Sequence, residues 1–377
     1  MQLSETVKLY MTKEQKTHIA ATMTEYIKTV NRLVSVAVNG TSISKYTTAD
    51  VAADLPSAIT NQCIRDAKSI VSNYNKAVRK AARNQKSAKQ DAKKKEKEVK
   101  VPVLKKPCCY INNQNFKLRE NAIEFPVCIN GKSKRIAVCI IMTERQKQRF
   151  ANAKLGTMRI IRKGSKIIAQ IVYEVSEPEY SGEGTVMGVD LGIKCPAVSY
   201  CADGSVKFYG NGRKNKYMRR HYQYLRRKLQ KAKYMEVLKR VNHKEQRIMN
   251  DIDHKISHDI IEMAVTHDVR LIKLEQLSNI RSTTRTSRKN NPGLHNWSFY
   301  RLAQYIEYKA RLAGIKVEYV NPAYTSQKCP VCGHVHHAKD RNYRCHCGFH
   351  THRDLLGARN ICSSTEYVGD SNIRHTA

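Results

Sequence analysis

A chain of 377 residues is too long for one ordinary hydrophobic core, so two or three domains are expected. Its 68 Lys and Arg stand against 32 Asp and Glu, and the formal charge of +36 calls for a polyanionic partner, nucleic acid first. An anionic membrane is disfavoured: the basic residues are spread along the chain, no apolar run spans a bilayer, and Met1-Gln2-Leu3-Ser4-Glu5 is no signal peptide.

Thr6-Val7-Lys8-Leu9-Tyr10 alternates and reads as a strand. Thr12 and Gln15 form a capping box for a helix with Ile19, Met23, Tyr26, Ile27, Val30, Leu33 and Val34 at helical spacing, ending near Asn39-Gly40. Leu55-Pro56-Ser57 opens a second helix, with Ile59, Cys63, Ile64, Ala67, Ile70, Val71 and Tyr74 on its inner face. That helix runs into Lys76, Arg79, Lys80, Arg83, Lys86, Lys89, Lys93, Lys94 and Lys95. Such a run is a solvated face, a linker or a phosphate-contacting surface. From Val101 to Val175, β-branched runs such as Ile136–Ile141 and Lys166–Tyr173 are separated by Asn130-Gly131-Lys132 and Arg162-Lys163-Gly164-Ser165. They predict a small antiparallel sheet or barrel, which the strand near Val7 joins, leaving the helices as an insertion in a β domain. This half carries no catalytic cluster and reads as a nucleic-acid grip. The polar linker 176–184 marks the boundary.

Val186-Met187-Gly188-Val189-Asp190-Leu191-Gly192-Ile193 is an apolar run broken by one carboxylate, and the rest of the half is arranged around it. An ionised Asp in a core strand needs a cation or strong partner, and glycine permits close approach of backbone or phosphate. Two readings stand at this point: a turn Asp at a strand end, or the metal ligand of a phosphodiester-cleaving site. Ala197–Tyr200, Asp203-Gly204-Ser205 and Val206–Tyr209 predict a strand–turn–strand meander, suiting a ribonuclease-H-like sheet. From Lys214 to His267 a helical hairpin is expected, one stripe packed and the other offered to a phosphate backbone. Its apolar positions begin with Tyr217, Tyr224 and Leu225, while Arg219, Arg220, Arg226, Arg227, Lys228, Lys231 and Lys233 cover the outer face. Val269-Arg270-Leu271-Ile272-Lys273-Leu274-Glu275 again delivers a carboxylate at a strand end, which favours a joint metal site. Arg281–Asn291 reads as a mobile loop, Trp297–Leu312 as a helix and Ile315–Val320 as a strand.

Twelve cysteines without a secretion signal suggest reduced thiols and a metal site. Cys329-Pro330-Val331-Cys332-Gly333 is half of a zinc knuckle, and Cys345-His346-Cys347-Gly348 is the other, with one intervening residue instead of two. Four thiolates on one structural Zn²⁺ are expected; should Cys345 not reach, His346, His350 or one of His334, His336 and His337 replaces it. Thr351 then caps a helix with Asp354 in its first turn, where an acid is comfortable.

Taken together, Gly188-Val189-Asp190-Leu191-Gly192, Lys273-Leu274-Glu275, Trp297 with Tyr308-Lys309-Ala310, Pro322–Gly333, and His352-Arg353-Asp354 with Ala358-Arg359-Asn360-Ile361 resemble TnpB. TnpB is the transposon-encoded RNA-guided nuclease family related to compact type V CRISPR effectors. The resemblance spans roughly residues 186 to 361; the first half matches in layout alone. Two departures stand out: Cys-x-Cys for the usual Cys-x-x-Cys, and Leu356-Gly357 where Asn-Ala is usual.

The resemblance implies an α+β multidomain fold. A wedge-like β-barrel domain (1–10 and 100–180) would hold a helical recognition insertion (11–99). A ribonuclease-H-like RuvC domain (185–324 and 350–366) would hold a zinc ribbon (325–349), followed by a disordered tail (367–377). It assigns Asp190, Glu275 and Asp354 to two catalytic Mg²⁺, Cys329, Cys332, Cys345 and Cys347 to one structural Zn²⁺, and Arg341 to the scissile phosphate. Lys76, Arg79, Lys80, Arg219, Arg220, Arg226 and Arg227 would contact nucleic acid. The implied partners are a guide RNA and double-stranded target DNA, bound by a monomer in the cytoplasm of a prokaryote, with specificity read by RNA pairing and a short target-adjacent motif. A compact CRISPR effector, a nuclease-silent repressor and a strand-joining transposase are the alternatives.

Overall fold

Two units divide the computed structural model, residues 1–176 and 177–377, and it describes residues 1–87, 99–164, 166–180, 182–241, 243–277, 298–338 and 340–369. Lys89, Lys93, Lys94, Lys95, the loop 281–291, Trp297 and the tail beyond 369 lie outside the described residues.

In the first unit the strands are β1 (Gln2–Tyr10), β2 (Cys108–Ile111), β3 (Lys117–Leu118), β4 (Ala122–Ile129), β5 (Lys132–Ile141), β6 (Leu155–Lys163) and β7 (Lys166–Glu174). They pair antiparallel in the order β2-β6-β7-β1-β5-β4-β3, so the N-terminal strand is central. Among the described residues no ladder joins β2 to β3. The barrel expected from the sequence is therefore an open sheet, ended on one side by a strand of two residues, too short to pair further. The helices are α1 (Lys13–Val38), α2 (Ser57–Ser87) and α3 (Glu144–Ala151). Thr12 and Gln15 exchange both hydrogen bonds of a capping box at the start of α1. α1 lays Ile19, Met23, Tyr26 and Val30 on Phe125, Ile140 and Ile160 of the sheet, all buried in one core. α2 enters that core through Ile59, Cys63, Ile64 and Ala67, then leaves it: Lys76, Arg79 and Lys80 are exposed.

The second unit is built on β8 (Thr185–Asp190), β9 (Ala197–Cys201), β10 (Val206–Tyr209), β11 (Val269–Glu275), β12 (Lys316–Val320) and β15 (Tyr367–Gly369). A separate hairpin, β13 (Asn342–Arg344) with β14 (His350–His352), belongs to the ribbon. The sheet order is β10-β9-β8-β11-β12-β15, with β8, β11 and β12 parallel and the others antiparallel. The tail expected from 367 thus begins as an edge strand on β12. The helices are α4 (Gly212–Lys231), α5 (Met235–Val241), α6 (Lys244–Thr266), α7 (Phe299–Leu312) and α8 (Arg353–Ser363). No helix among the described residues is long and apolar enough to cross a membrane.

Alternation along the parallel strands separates two faces. Met187, Val189, Ile272 and Leu274 are buried in a core with Ile260, Ile306 and Ala310 of α6 and α7. Gly188, Asp190, Lys273 and Glu275 take the opposite face, where α8 packs across β8, β9 and β11. Gly188 is the point of closest approach: a Cβ there would stand 2.2 Å from the Ala358 carbonyl oxygen. Both glycines beside Asp190 therefore serve protein backbone rather than phosphate, since a Cβ on Gly192 would meet the Cys195 carbonyl at 2.6 Å.

Candidate active site and thiol cluster

The strand register places the first two acids. β11 runs parallel to β8 with Lys273 opposite Gly188 and Leu274 opposite Val189, so one residue further Glu275 and Asp190 end neighbouring strands on one face. The third acid comes from the helix on that face. Asp354, 7% exposed, sits in the first turn of α8, where the unpaired amides favour a carboxylate. The cap is His352, whose Nδ1 accepts from the Asp354 amide at 3.2 Å; Thr351, expected as the cap, is a strand residue paired with Tyr343. Gly357 faces the Asp190 carboxylate, which lies 3.2 Å from where an alanine methyl would stand. Leu356 is fully buried in the ribbon core with Tyr343 and Cys345, so the two departures from the usual Asn-Ala have defined steric surroundings.

Burial sets the electrostatics first, and crowding adds to it at Asp190. Burial, then the Glu275 and Asp354 carboxylates, push the Asp190 carboxyl well above the usual range, against the opposing pull of Arg341 and Arg353. Burial lifts Glu275 to about 7, although the Thr325 hydroxyl donates to its Oε1. Arg341 donates to Asp354 Oδ1. Thr325 and Asn360 were not visible as functional residues in the sequence. Asn360 Nδ2 donates at 2.7 Å to the carbonyls of both Thr325 and Lys328, tying the loop that holds Glu275 to α8. Lys273 likewise ties β11 to the end of α8 through the carbonyls of Cys362 (3.1 Å) and Ser364 (2.7 Å). A polar side chain within Pro322–Gly333 and another within Ala358–Ile361 were the only signals available, and their partners are fixed by the tertiary fold alone.

The four cysteines form a tighter set. One sulfur from each of Cys329, Cys332, Cys345 and Cys347 lies within 4.8 Å of all the others, the one such His/Cys/Asp/Glu group among the described residues. Cys329 and Cys347 Sγ are 3.7 Å apart, Cys332 and Cys345 Sγ 3.4 Å, close to the roughly 3.8 Å edge of a tetrahedral zinc thiolate. Burial raises the Cys329 thiol, but the amides of Cys332 and Val331 and the neighbouring thiols more than offset it, leaving it at about 7. The Cys-x-Cys half therefore reaches the site. The histidines pack around it: His346 rests on His334 with ring centroids 4.6 Å apart, and His336 on Tyr343 at 4.5 Å.

The basic residues expected on one outer face of α4 divide between two. Arg226 pairs with Glu245 of α6 at 2.7 Å. Arg219 is also turned inwards, its guanidinium lowered by burial beside Glu245, Arg301 and Asp253. Arg220 and Arg227 are exposed, and so are Tyr217 and Tyr224, which the hydrophobic pattern had assigned to packing. With Tyr222 already filling the inner face, the seven-residue spacing of Tyr217 and Tyr224 carries both outwards.

Residues 299–361 match the family model described as Cas12f1-like, TNB domain. The chain is 29% identical over 260 residues to the TnpB-like protein MJ0751 of Methanocaldococcus jannaschii, covering 64% of this chain and 91% of that protein. It is 37% identical over 113 residues to the CRISPR-associated endodeoxyribonuclease Cas12f1 of Sulfoacidibacillus thermotolerans, 29% of this chain and a quarter (25%) of that one. A solved Cas12f1–sgRNA–target DNA complex shares the fold, with a TM-score of 0.64 at 14% identity over 92% of this chain and 83% of that one. The chain is thus similar to TnpB-like proteins and to the Cas12f1 endodeoxyribonucleases.

Proposed function

We propose that this protein is an RNA-guided DNA endonuclease: it holds a guide RNA, reads a short target-adjacent motif, opens the target and hydrolyses DNA. The observation that carries this reading is the convergence of Asp190, Glu275 and Asp354 on one face of the sheet, crowded enough to raise the Asp190 carboxyl. Three carboxylates gathered at one buried place, with Arg341 and Arg353 beside them, are a candidate cation site. The endodeoxyribonuclease named among its relatives and the sgRNA and target DNA held by its structural neighbour support the same chemistry and partners.

In this reading the second unit is a ribonuclease-H-like RuvC domain with a zinc ribbon, and the first is a wedge-like domain with a helical recognition insertion. Hard oxygen donors suit Mg²⁺, and four thiols at tetrahedral spacing suit a structural Zn²⁺. A bound pair of Mg²⁺ would supply an activated water and stabilisation of the leaving oxygen. The chain's own residues do the rest. Asp190 and Glu275 present donor oxygens from two strand ends, and Asp354 presents its own from α8. Thr325 orients Glu275. Arg341 balances Asp354 and is placed to meet a phosphate there. Lys76, Arg79, Lys80, Arg220 and Arg227 hold nucleic acid by its backbone. Arg219 and Arg226, engaged with acids of α6, serve to seat α4.

The test is cleavage of a plasmid carrying the matching target by the purified chain with its co-purified RNA in Mg²⁺, with that RNA sequenced. Cleavage that depends on guide and Mg²⁺ supports the proposal. Guide-dependent binding without cleavage would replace it with a repressor.

A further inference from the structure

α4 carries nine Lys and Arg and no acid, and its outer surface is not uniformly basic. Arg213, Tyr217, Arg220, Tyr224, Arg227 and Lys231 recur at alternating spacings of four and three, which aligns them in one stripe along the helix. All six are exposed, Tyr217 at 65% and Tyr224 at 66%, large values for aromatic rings. The opposite stripe accounts for the helix's attachment: Tyr222 is buried, and Arg219 and Arg226 are engaged with α6. Tyr217 lies against the His221 ring, centroids 6.2 Å apart, and both tyrosines still expose about two thirds of their surface.

We infer that this stripe is a stacking platform for single-stranded DNA. Alternating aromatic rings and guanidinium groups suit unpaired bases on a polyanionic backbone, whereas a duplex hides its base faces and needs charge alone. The start of α4 is tied to the segment following Asp190, the Gly212 amide donating to the Lys194 carbonyl at 2.9 Å. The stripe therefore begins beside the strand that delivers the first acid. On the proposed function the nucleic acid reaching that strand is DNA, and exposed rings can stack on its bases only where they are unpaired. The inference deepens the nucleic-acid part of the proposed function and does not depend on cleavage.

The experiment measures binding by the full-length Asp190→Ala chain, freed of co-purified nucleic acid, without added divalent cation. Its probes are one oligonucleotide sequence as single-stranded DNA, single-stranded RNA and duplex DNA, and an abasic DNA of equal length. Replacing both Tyr217 and Tyr224 by Ala is expected to weaken single-stranded DNA binding by roughly tenfold per ring, leaving duplex and abasic DNA unchanged. Replacement of both by Phe retains binding. Arg220→Ala with Arg227→Ala weakens every probe and lowers the salt slope by roughly 0.7 per arginine on single strands. Unchanged binding of single-stranded DNA by the alanine pair, an equal loss on abasic DNA, a loss confined to RNA, or a phenylalanine pair as weak as the alanine pair overturns the inference. If the unsubstituted chain with its guide fails to cleave while the tyrosine effect on binding holds, the endonuclease reading falls and this one stands.

Discussion

The thiol ribbon and the carboxylate cluster lie on the same unit, and both are candidate metal sites, yet they are built on opposite principles. The ribbon draws its four thiols from two short loops, Cys329–Cys332 and Cys345–Cys347, and local turns bring the sulfurs to a spacing that could hold one ion. The carboxylates come from two strand ends and a helix, and each is engaged by the protein: Arg341 on Asp354, Thr325 on Glu275, mutual repulsion on Asp190. They do not close to the single-ion spacing of the thiols. A closed set of soft ligands holds structure, while a spread set of hard ligands leaves room for a substrate. The two sites also meet physically, because Leu356 of α8, two residues from Asp354, is buried in the ribbon core.

Five perturbations bear on that contrast. Asp190→Ala should cost on the order of 10³-fold or more in cleavage, several kcal/mol of transition-state stabilisation, with guide and target binding retained in a gel-shift assay. Cys329→Ser should remove about one zinc per chain by elemental analysis and abolish cleavage by releasing Arg341 and the start of α8, while the sheet's circular dichroism persists. Wild-type protein without zinc would break the contrast at once. Gly188→Ala forces a methyl against the Ala358 carbonyl and should destabilise the second unit by about 3 kcal/mol in denaturant melts. Thr325→Val should lower cleavage about tenfold with binding unchanged, and Thr325→Ser should restore it, as expected for one hydrogen bond to a carboxylate.

The smallest effect is on stability against pH. Glu275 rises from an ordinary 4.5 to about 7 in the fold, and Asp190 rises too. Between about 4.5 and about 7 the folded chain binds more protons than the unfolded one, so stability without divalent cations should fall as pH rises through that window. Added Mg²⁺ should flatten the decline, and a melting temperature insensitive to both would contradict the crowding of the acids.

The ribbon was almost wholly legible in the sequence because its constraints are local: cysteine spacing names the ligands, and the structure brings all four together without a histidine. The capping box at Thr12 and Gln15 and the strands ending at Asp190 and Glu275 were legible for the same reason, since short-range pattern specifies them. What the sequence hid depends on contacts between distant segments. His352 caps α8 because Thr351 is spent in the ribbon hairpin. Arg219 and Arg226 turn inwards because α6 offers Glu245 and Asp253. Tyr217 and Tyr224 look like core residues to any hydrophobicity pattern, and only the packing of Tyr222 against the unit shows that they face outwards.

The cleavage proposed for this molecule requires that Asp190, Glu275 and Asp354 share divalent cations when nucleic acid is loaded. Anomalous diffraction from crystals of the guide- and target-bound chain soaked in Mn²⁺ tests it most directly. The account predicts two manganese peaks among the three carboxylates and a separate zinc peak at the four thiols. A zinc peak with no manganese beside Asp190 would contradict it.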